Sequence, residues 1–225
     1  MSRFMRLDVT NTLLRIGLVP LFYHDELETA VEIVSACARG GARVIEFTNR
    51  GESAHPVFVE LVKRFTRANP EVILGVGSII DAPTAALYLA AGANFIVGPS
   101  LNPEISRLCN RRKVLYIPGC ATESEISAAE ELGAEICKLF PADVLGPKFI
   151  KAVMAPCPWH RLMPTGGVDP TQVSISEWIR AGAAALGMGS KLITAQAVRD
   201  KDFDGIATMT AQCLGWVKAA RSETK

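Results

Sequence analysis

Two ionisable side chains interrupt apolar runs that otherwise have the makings of buried strands. In AEICKLF (134–140), Lys138 stands among Ile136, Cys137, Leu139 and Phe140, and in ARVIEFT (42–48), Glu46 stands between Ile45 and Phe47. Burial disfavours the charged form of a lysine, because the ammonium loses its hydration. A neutral amine is a nucleophile toward a carbonyl carbon, and a nearby carboxylate can carry protons for the same reaction. One lysine and one carboxylate in an enclosed site could therefore form and resolve a Schiff base. Each residue alone has a second explanation. A buried lysine can pair with a carboxylate for structural reasons. Glutamate is rarely buried without a partner, so Glu46 could pair with Arg50 and bridge to a helix. Strand alternation points Glu46, Thr48 and Arg50 one way and Ile45 and Phe47 the other, and it turns Cys137 away from Lys138.

The elements that must hold these residues repeat. Short β-branched apolar runs alternate with longer segments rich in Ala, Glu and Leu. The runs are GLVPLFY (17–23), ARVIEFT (42–48), VILGVG (72–77), NFIVG (94–98), VLYIPG (114–119), AEICKLF (134–140), RLMPTG (161–166) and AALGMG (184–189). They are apolar on both faces, as strands of a helix-covered parallel sheet are. Helix signals lie between them. Asp25 with Glu28 and Thr122 with Glu125 have capping-box spacing, and Asp81 precedes a segment with Pro83 in its first turn. GGA (40–42), AGA (91–93), LGA (132–134) and AGA (181–183) place glycine where helices end. Eight strand–helix units predict a single-domain α/β fold over 1–225, a (β/α)8 TIM barrel with its core at about 17–195. The segment before the first strand is expected to form a helix capping the barrel base. The tail, 196–225, is expected to be helical and to carry Trp216. An open doubly wound sheet is disfavoured because no G-x-G-x-x-G follows the first strand.

In such barrels the chemistry sits at the C-terminal ends of the strands, with a phosphate site in the loops after the seventh and eighth. Those loops are PTGGVDP (164–170) and GMGSKL (187–192). Gly166 and Gly167, and Gly189 and Ser190 opposite, would let backbone N–H groups approach a phosphate, with a helix N-terminus adding donors. Two ordinary strand–helix turns would have similar composition.

Several classes are excluded. The net charge of the 225 residues is +1, which gives nucleic acid no basic footprint. No apolar run is long enough for a membrane span, and Asp8 with its polar neighbours spoils a signal peptide. The six cysteines form no C-x-x-C pair and show no metal-ligand spacing with the three histidines. They read as buried thiols of a reducing cytoplasm. No metal, cofactor, nucleic acid or membrane partner is expected. His24, His55 and His160 are expected in loops or at the surface, and Trp159 and Trp216 carry no functional signal.

VIEFTNR, GVGSI, VGPS, IPGCATESE, KLFPAD, PTGGV and GMGSKL, in this order between about residues 12 and 195, resemble the bacterial 2-keto-3-deoxy-6-phosphogluconate (KDPG) / 4-hydroxy-2-oxoglutarate (KHG) aldolase family. The resemblance implies a (β/α)8 barrel, a homotrimer, and a class I aldolase needing no metal or cofactor. Such an enzyme cleaves a 2-keto acid to pyruvate plus an aldehyde, glyceraldehyde 3-phosphate or glyoxylate. It implies that Lys138 is the Schiff-base lysine, Glu46 the proton shuttle and Arg50 the holder of the substrate carboxylate. Ser78, Pro99, Phe140 and Thr165 would line the substrate, and Gly166, Gly167, Gly189 and Ser190 the phosphate end. Asn49, Ser78, Leu139, Asp143, Met188 and Lys191 depart from the family's usual residues. Two alternatives stay open: the galactonate-derived epimer as substrate, and a phosphate-binding epimerase or synthase barrel, which would share the glycine loops but need no lysine at 138. A barrel retained only for binding would need neither.

Overall fold

The computed structural model describes residues 2–223. Every one of the eight apolar runs forms a strand: β1 (Leu18–Phe22), β2 (Val44–Thr48), β3 (Ile73–Gly77), β4 (Phe95–Val97), β5 (Leu115–Ile117) with its continuation β6 (Gly119–Cys120), β7 (Cys137–Leu139), β8 (Leu162–Pro164) and β9 (Leu186–Met188). Pro118, which has no N–H to donate, divides β5 from β6. All pairings are parallel, in the orders β5-β4-β3-β2-β1-β9 and β6-β7-β8. A bridge between Thr165 and Gly187 joins β8 to β9, so the sheet closes on itself as a (β/α)8 barrel.

Between the strands run α2 (Leu27–Arg39), α3 (Ala54–Ala68), α4 (Ala82–Ala91), α5 (Pro103–Arg112), α6 (Glu123–Glu131), α7 (Ala142–Met154) and α8 (Gln172–Arg180). Two of the three anticipated caps form. The Asp81 side chain accepts from Thr84 N, and Thr122 with Glu125 makes a reciprocal capping box. The third does not. The N-cap of α2 is Glu26, whose carboxylate takes the Thr29 hydroxyl, while Glu28 pairs with Arg64 of α3. A neighbouring helix outbids the local cap for Glu28. Glycines at 92, 133 and 182 end helices with positive φ, as their spacing anticipates.

Strand alternation divides the apolar residues into two shells. Inside the barrel lie Val19, Val44, Ile73, Phe95, Val97, Leu115, Ile117, Ile136, Met163 and Ala185. The helix α1 (Arg6–Ile16) closes the base, inserting Val9 and Leu13, both wholly buried, beneath this layer. Outside, Phe47, Cys137, Leu139 and Leu162 pack against the helices. The tail forms α9 (Ala195–Arg199) and α10 (Phe203–Glu223), which carries a half-buried Trp216; residues 224–225 of the expected tail lie outside the described residues. Helix α10 packs along α2 and α8, and its Arg221 donates to the carbonyls of Arg15 and Ala184. Helix α10 is thereby tied to α1 and to the segment leading into β9. No described helix is long and apolar enough to cross a membrane.

Candidate active site

Above the apolar layer the inward positions change character. Glu46 on β2 and Lys138 on β7 both point to the axis and are 1% and 7% exposed. Their neighbours in register are small: Gly75 lies opposite Glu46, and Gly119 opposite Lys138. Thr165, at the end of β8, is buried beside Gly187. The glycines make the room. A Cβ on Gly77 would lie 1.7 Å from Glu46 Oε1, and one on Gly187 would lie 2.4 Å from Thr165 Oγ1. A Cβ on Gly119 would lie 2.1 Å from the Pro99 carbonyl oxygen, so β6 and the turn after β4 meet backbone to backbone. Sequence reading took GVGSI for Ser78 and passed over Gly77, Gly119 and Gly187 as makers of space. The available signal was a glycine on the inward phase of an apolar run.

The polar groups in this layer are held without being saturated. Glu46 Oε2 and Thr165 Oγ1 are buried and have no hydrogen-bond partner among the described residues. Burial holds the Glu46 carboxyl above the usual carboxylate range; the positive charges of Lys138 and then of Arg50 oppose this without cancelling it. No direct Glu46–Arg50 ion pair is present among the described residues: Arg50 is exposed at the rim and reaches Glu46 only through its field. The Lys138 ammonium position lies 4.7 Å from the centre of the Phe140 ring, a distance at which the ring face favours a cation. Its backbone is fixed on both sides, Lys138 N donating to Pro118 O and Phe140 N to Cys120 O on one, and Cys137 N donating to Arg161 O and Thr165 N to Leu139 O on the other. Cys137 faces the helix layer, as alternation requires.

The remaining expected positions sit around the same mouth. Ser78 follows β3 with φ 60, in the left-handed region that favours glycine. Pro99 follows β4, and Phe140 is 37% exposed. Gly166 and Gly167 both have positive φ, and a Cβ on Gly167 would lie 2.6 Å from Asp143 Cα, so the turn after β8 packs on the start of α7. Lys191 pairs with Asp169, joining the two glycine-rich loops. Gly189 and Ser190 lead into a turn in which the N–H groups of Leu192 and Ile193 return to Gly189 O. The helices that follow these turns begin further on, α8 at Gln172 and α9 at Ala195. Asn49 accepts the Tyr88 hydroxyl at 2.7 Å and so serves a contact with α4.

Two of the three histidines, His24 and His160, lie in loops as expected, and His55 does not. His55 is on α3, half-buried and edge-on to Tyr88 at 5.2 Å, and His160 is 4% exposed, bonded to Glu123 and Glu130. A pair of unlike ionisable groups, inward on facing sides of a parallel barrel and at its C-terminal mouth, is suited to carbonyl chemistry.

Comparison with known proteins agrees. Residues 9–209 match the family model described as KDPG and KHG aldolase. The 2-dehydro-3-deoxy-phosphogluconate aldolase of Treponema pallidum is 30% identical over 201 residues, 89% of this chain and 93% of that protein. The KHG/KDPG aldolase of Escherichia coli K12 is 29% identical, covering 89% and 92%. The KDPG aldolase of Legionella pneumophila, solved with pyruvate captured at low pH as a covalent carbinolamine intermediate, superposes with a TM-score of 0.81 at 25% identity over 90% of this chain and 96% of that one. The chain belongs to the KDPG and KHG aldolase family.

Proposed function

We propose that Lys138 is the Schiff-base lysine of a class I aldolase acting on KDPG or 4-hydroxy-2-oxoglutarate, with Glu46 as its proton carrier. Membership of the family makes the protein an aldolase, a carbon–carbon lyase. The observation that carries the residue assignment is the burial of Lys138 and Glu46 on the same inward layer, with Glu46 Oε2 left unpartnered. The covalent carbinolamine in the Legionella relative supports the same chemistry.

The amine of Lys138 attacks the C2 ketone. The carbinolamine loses water with a proton from Glu46, giving a protonated imine. Glu46, again a carboxylate, takes the proton of the C4 hydroxyl. The C3–C4 bond breaks, its electrons pass into the imine, and the aldehyde leaves: glyceraldehyde 3-phosphate from KDPG, glyoxylate from 4-hydroxy-2-oxoglutarate. Protonation of the enamine at C3 and hydrolysis release pyruvate and the amine. The covalent route divides one difficult cleavage into easier steps. Arg50 at the rim would hold the substrate carboxylate, and Ser78, Pro99, Phe140 and Thr165 would line the chain. Gly166, Gly167, Gly189 and Ser190 would receive the phosphate through backbone N–H groups. The galactonate-derived epimer differs at one carbon, a discrimination that rests on contacts worth only a few kcal/mol.

Incubation with pyruvate and borohydride, followed by peptide mapping, tests the assignment. A reduced pyruvyl adduct is expected on Lys138, and Lys138→Ala should lose both adduct and turnover while keeping its circular dichroism. An adduct on another lysine, or turnover surviving in that variant, removes Lys138 from the role. The homotrimer that the family resemblance implies finds support in Val144 and Val173, 77% and 79% exposed on α7 and α8; sedimentation at several concentrations measures it. Six free cysteines suit a reducing cytoplasm.

A further inference from the structure

On the outer wall of the barrel, away from the amine, three potential metal ligands of different chemistry converge. Glu123 opens α6; Cys157 and His160 lie in the segment between α7 and β8. One ligand atom from each lies within 4.8 Å of the others. His160 Nε2 is 3.2 Å from both carboxylate oxygens of Glu123, and Cys157 Sγ is 3.5 Å from Glu123 Oε1. A tetrahedron built with ordinary zinc–ligand bond lengths has N–O edges of roughly 3.3 Å and S–O edges of roughly 3.6 Å. Two of the three edges are therefore already drawn. The other ring nitrogen, Nδ1, is 2.7 Å from Glu130 Oε1. A carboxylate behind the histidine is the arrangement that fixes a ligating imidazole and raises its basicity. It lets Nδ1–H donate to Glu130 and leaves the Nε2 lone pair for a cation. The His160 side chain is only 2% exposed, whereas Glu123 is 43% exposed, which gives an ion a way in and a fourth position open to water.

We propose that Glu123, Cys157 and His160 bind one zinc ion, with Glu130 orienting His160. The mixed S, N, O set suits zinc and not calcium or magnesium, which take oxygen alone. Binding displaces the thiol proton of Cys157 to solvent and forms Zn–S, Zn–N and Zn–O bonds; no electron is transferred. The ion clips the 155–161 segment, which leads directly into β8, to α6. It takes no part in cleavage, because Lys138 faces the axis and Cys137, beside it and within the field of Glu130, faces the helices.

The site escaped sequence reading because Glu123 is 34 residues from Cys157. Within Cys157–His160 the spacing C-x-x-H is a weak signal, which corrects the expectation that no cysteine stands at metal-ligand spacing from a histidine. The test uses the full chain stripped with a chelator and titrated with zinc chloride against a chromogenic competitor. One zinc per chain is expected. Cys157→Ser and His160→Ala should each weaken uptake at least about tenfold, and Glu130→Gln, which removes no ligand, by about 10–100-fold. Cobalt in place of zinc should show a thiolate charge-transfer band that Cys157→Ser lacks. Wild-type protein gives a second reading that needs no variant. Cys157 is the one cysteine of the six that is not fully buried, so it should be the native thiol that reacts with a thiol reagent, and zinc should protect it. No stoichiometric uptake overturns the proposal. So does full affinity in Cys157→Ser, or a Cys157 that zinc leaves reactive; His160 would then be a structural link between two carboxylates.

Discussion

Gly77→Ala is the sharpest test of the proton-carrier assignment, because it moves Glu46 without changing it. The added methyl would sit 1.7 Å from Glu46 Oε1 and 2.4 Å from its Cδ, whereas real Cβ contacts essentially never fall under 3.0 Å. The carboxylate must therefore shift by at least about 1.3 Å, since the β3 backbone is held in register by β2 and β4 and yields less easily than a side chain. The backbone at Gly77 is not in the positive-φ region, so alanine strains nothing except this contact. A misplacement of about 1 Å can cost around 10²-fold, and loss of a general base about 10²–10⁴-fold. A fall in kcat of that size, about 2.7–5.4 kcal/mol in barrier, is expected. The assay is pyruvate release from KDPG, coupled to a lactate dehydrogenase. The three atoms nearest the added methyl all belong to Glu46, so borohydride should still trap pyruvate on Lys138. Glu46→Gln combined with Gly77→Ala should be no slower than Glu46→Gln alone, since the two changes remove one function. A kcat for Gly77→Ala within about threefold of wild type, well under 1 kcal/mol, would refute the reasoning.

Two further predictions concern pH and the floor. Burial raises the Glu46 carboxyl, so its proton-accepting form should appear only above the usual carboxylate range, and the acid limb of kcat/KM should lie above about pH 4.3. Arg50 opposes that rise, so Arg50→Ala should move the limb to still higher pH. An unmoved limb in a full profile separates Arg50 from Glu46. Leu13→Ala, which empties a wholly buried position under the barrel, should cost about 2–5 kcal/mol in urea unfolding, with the borohydride adduct retained. A loss under about 1 kcal/mol would mean that α1 only rests on the base.

The fold was legible because its signals are repetitive. Eight apolar runs, seven of them closed by Gly, Pro or Asn, are hard to fit into anything but a wound parallel sheet. The two residues proposed to do the chemistry were legible for the opposite reason: each violates its run. Less visible were features that depend on partners distant in sequence. The α2 cap failed because Arg64 competes for Glu28, and nothing near residue 28 announces that helix. Asn49 looked like a change at the site, yet its oxygen accepts the Tyr88 hydroxyl 39 residues away. Lys191 likewise is taken by a partner 22 residues away, Asp169 in the other glycine-rich loop. The burial of His160 within its loop was not legible, because its two carboxylates come from α6, 30 and 37 residues away.

The contrast between the two halves of the barrel says why the upper one should be a site. Below, Val44, Ile73, Phe95, Leu115, Ile136 and Met163 meet Val9 and Leu13 in an apolar layer, and the unpartnered oxygen there is the Thr10 hydroxyl of α1, which carries no charge. Above, two buried oxygens go without partners and one carboxyl is pushed toward its neutral form by burial. An unmade buried hydrogen bond costs about 1–3 kcal/mol, so this layer costs stability that apolar side chains in place of Glu46 and Thr165 would recover. Side chains at Gly77 and Gly187 cannot coexist with those polar groups. The glycines and the unsatisfied oxygens therefore stand or fall together. Local rules broken in concert, in an otherwise consistent fold, are where chemistry is performed. The same argument separates the two sites. At the axis the proposed assignment leaves the two oxygens free for a substrate to partner, whereas at His160 each ring nitrogen already has a carboxylate, and a metal would replace only the bond at Nε2.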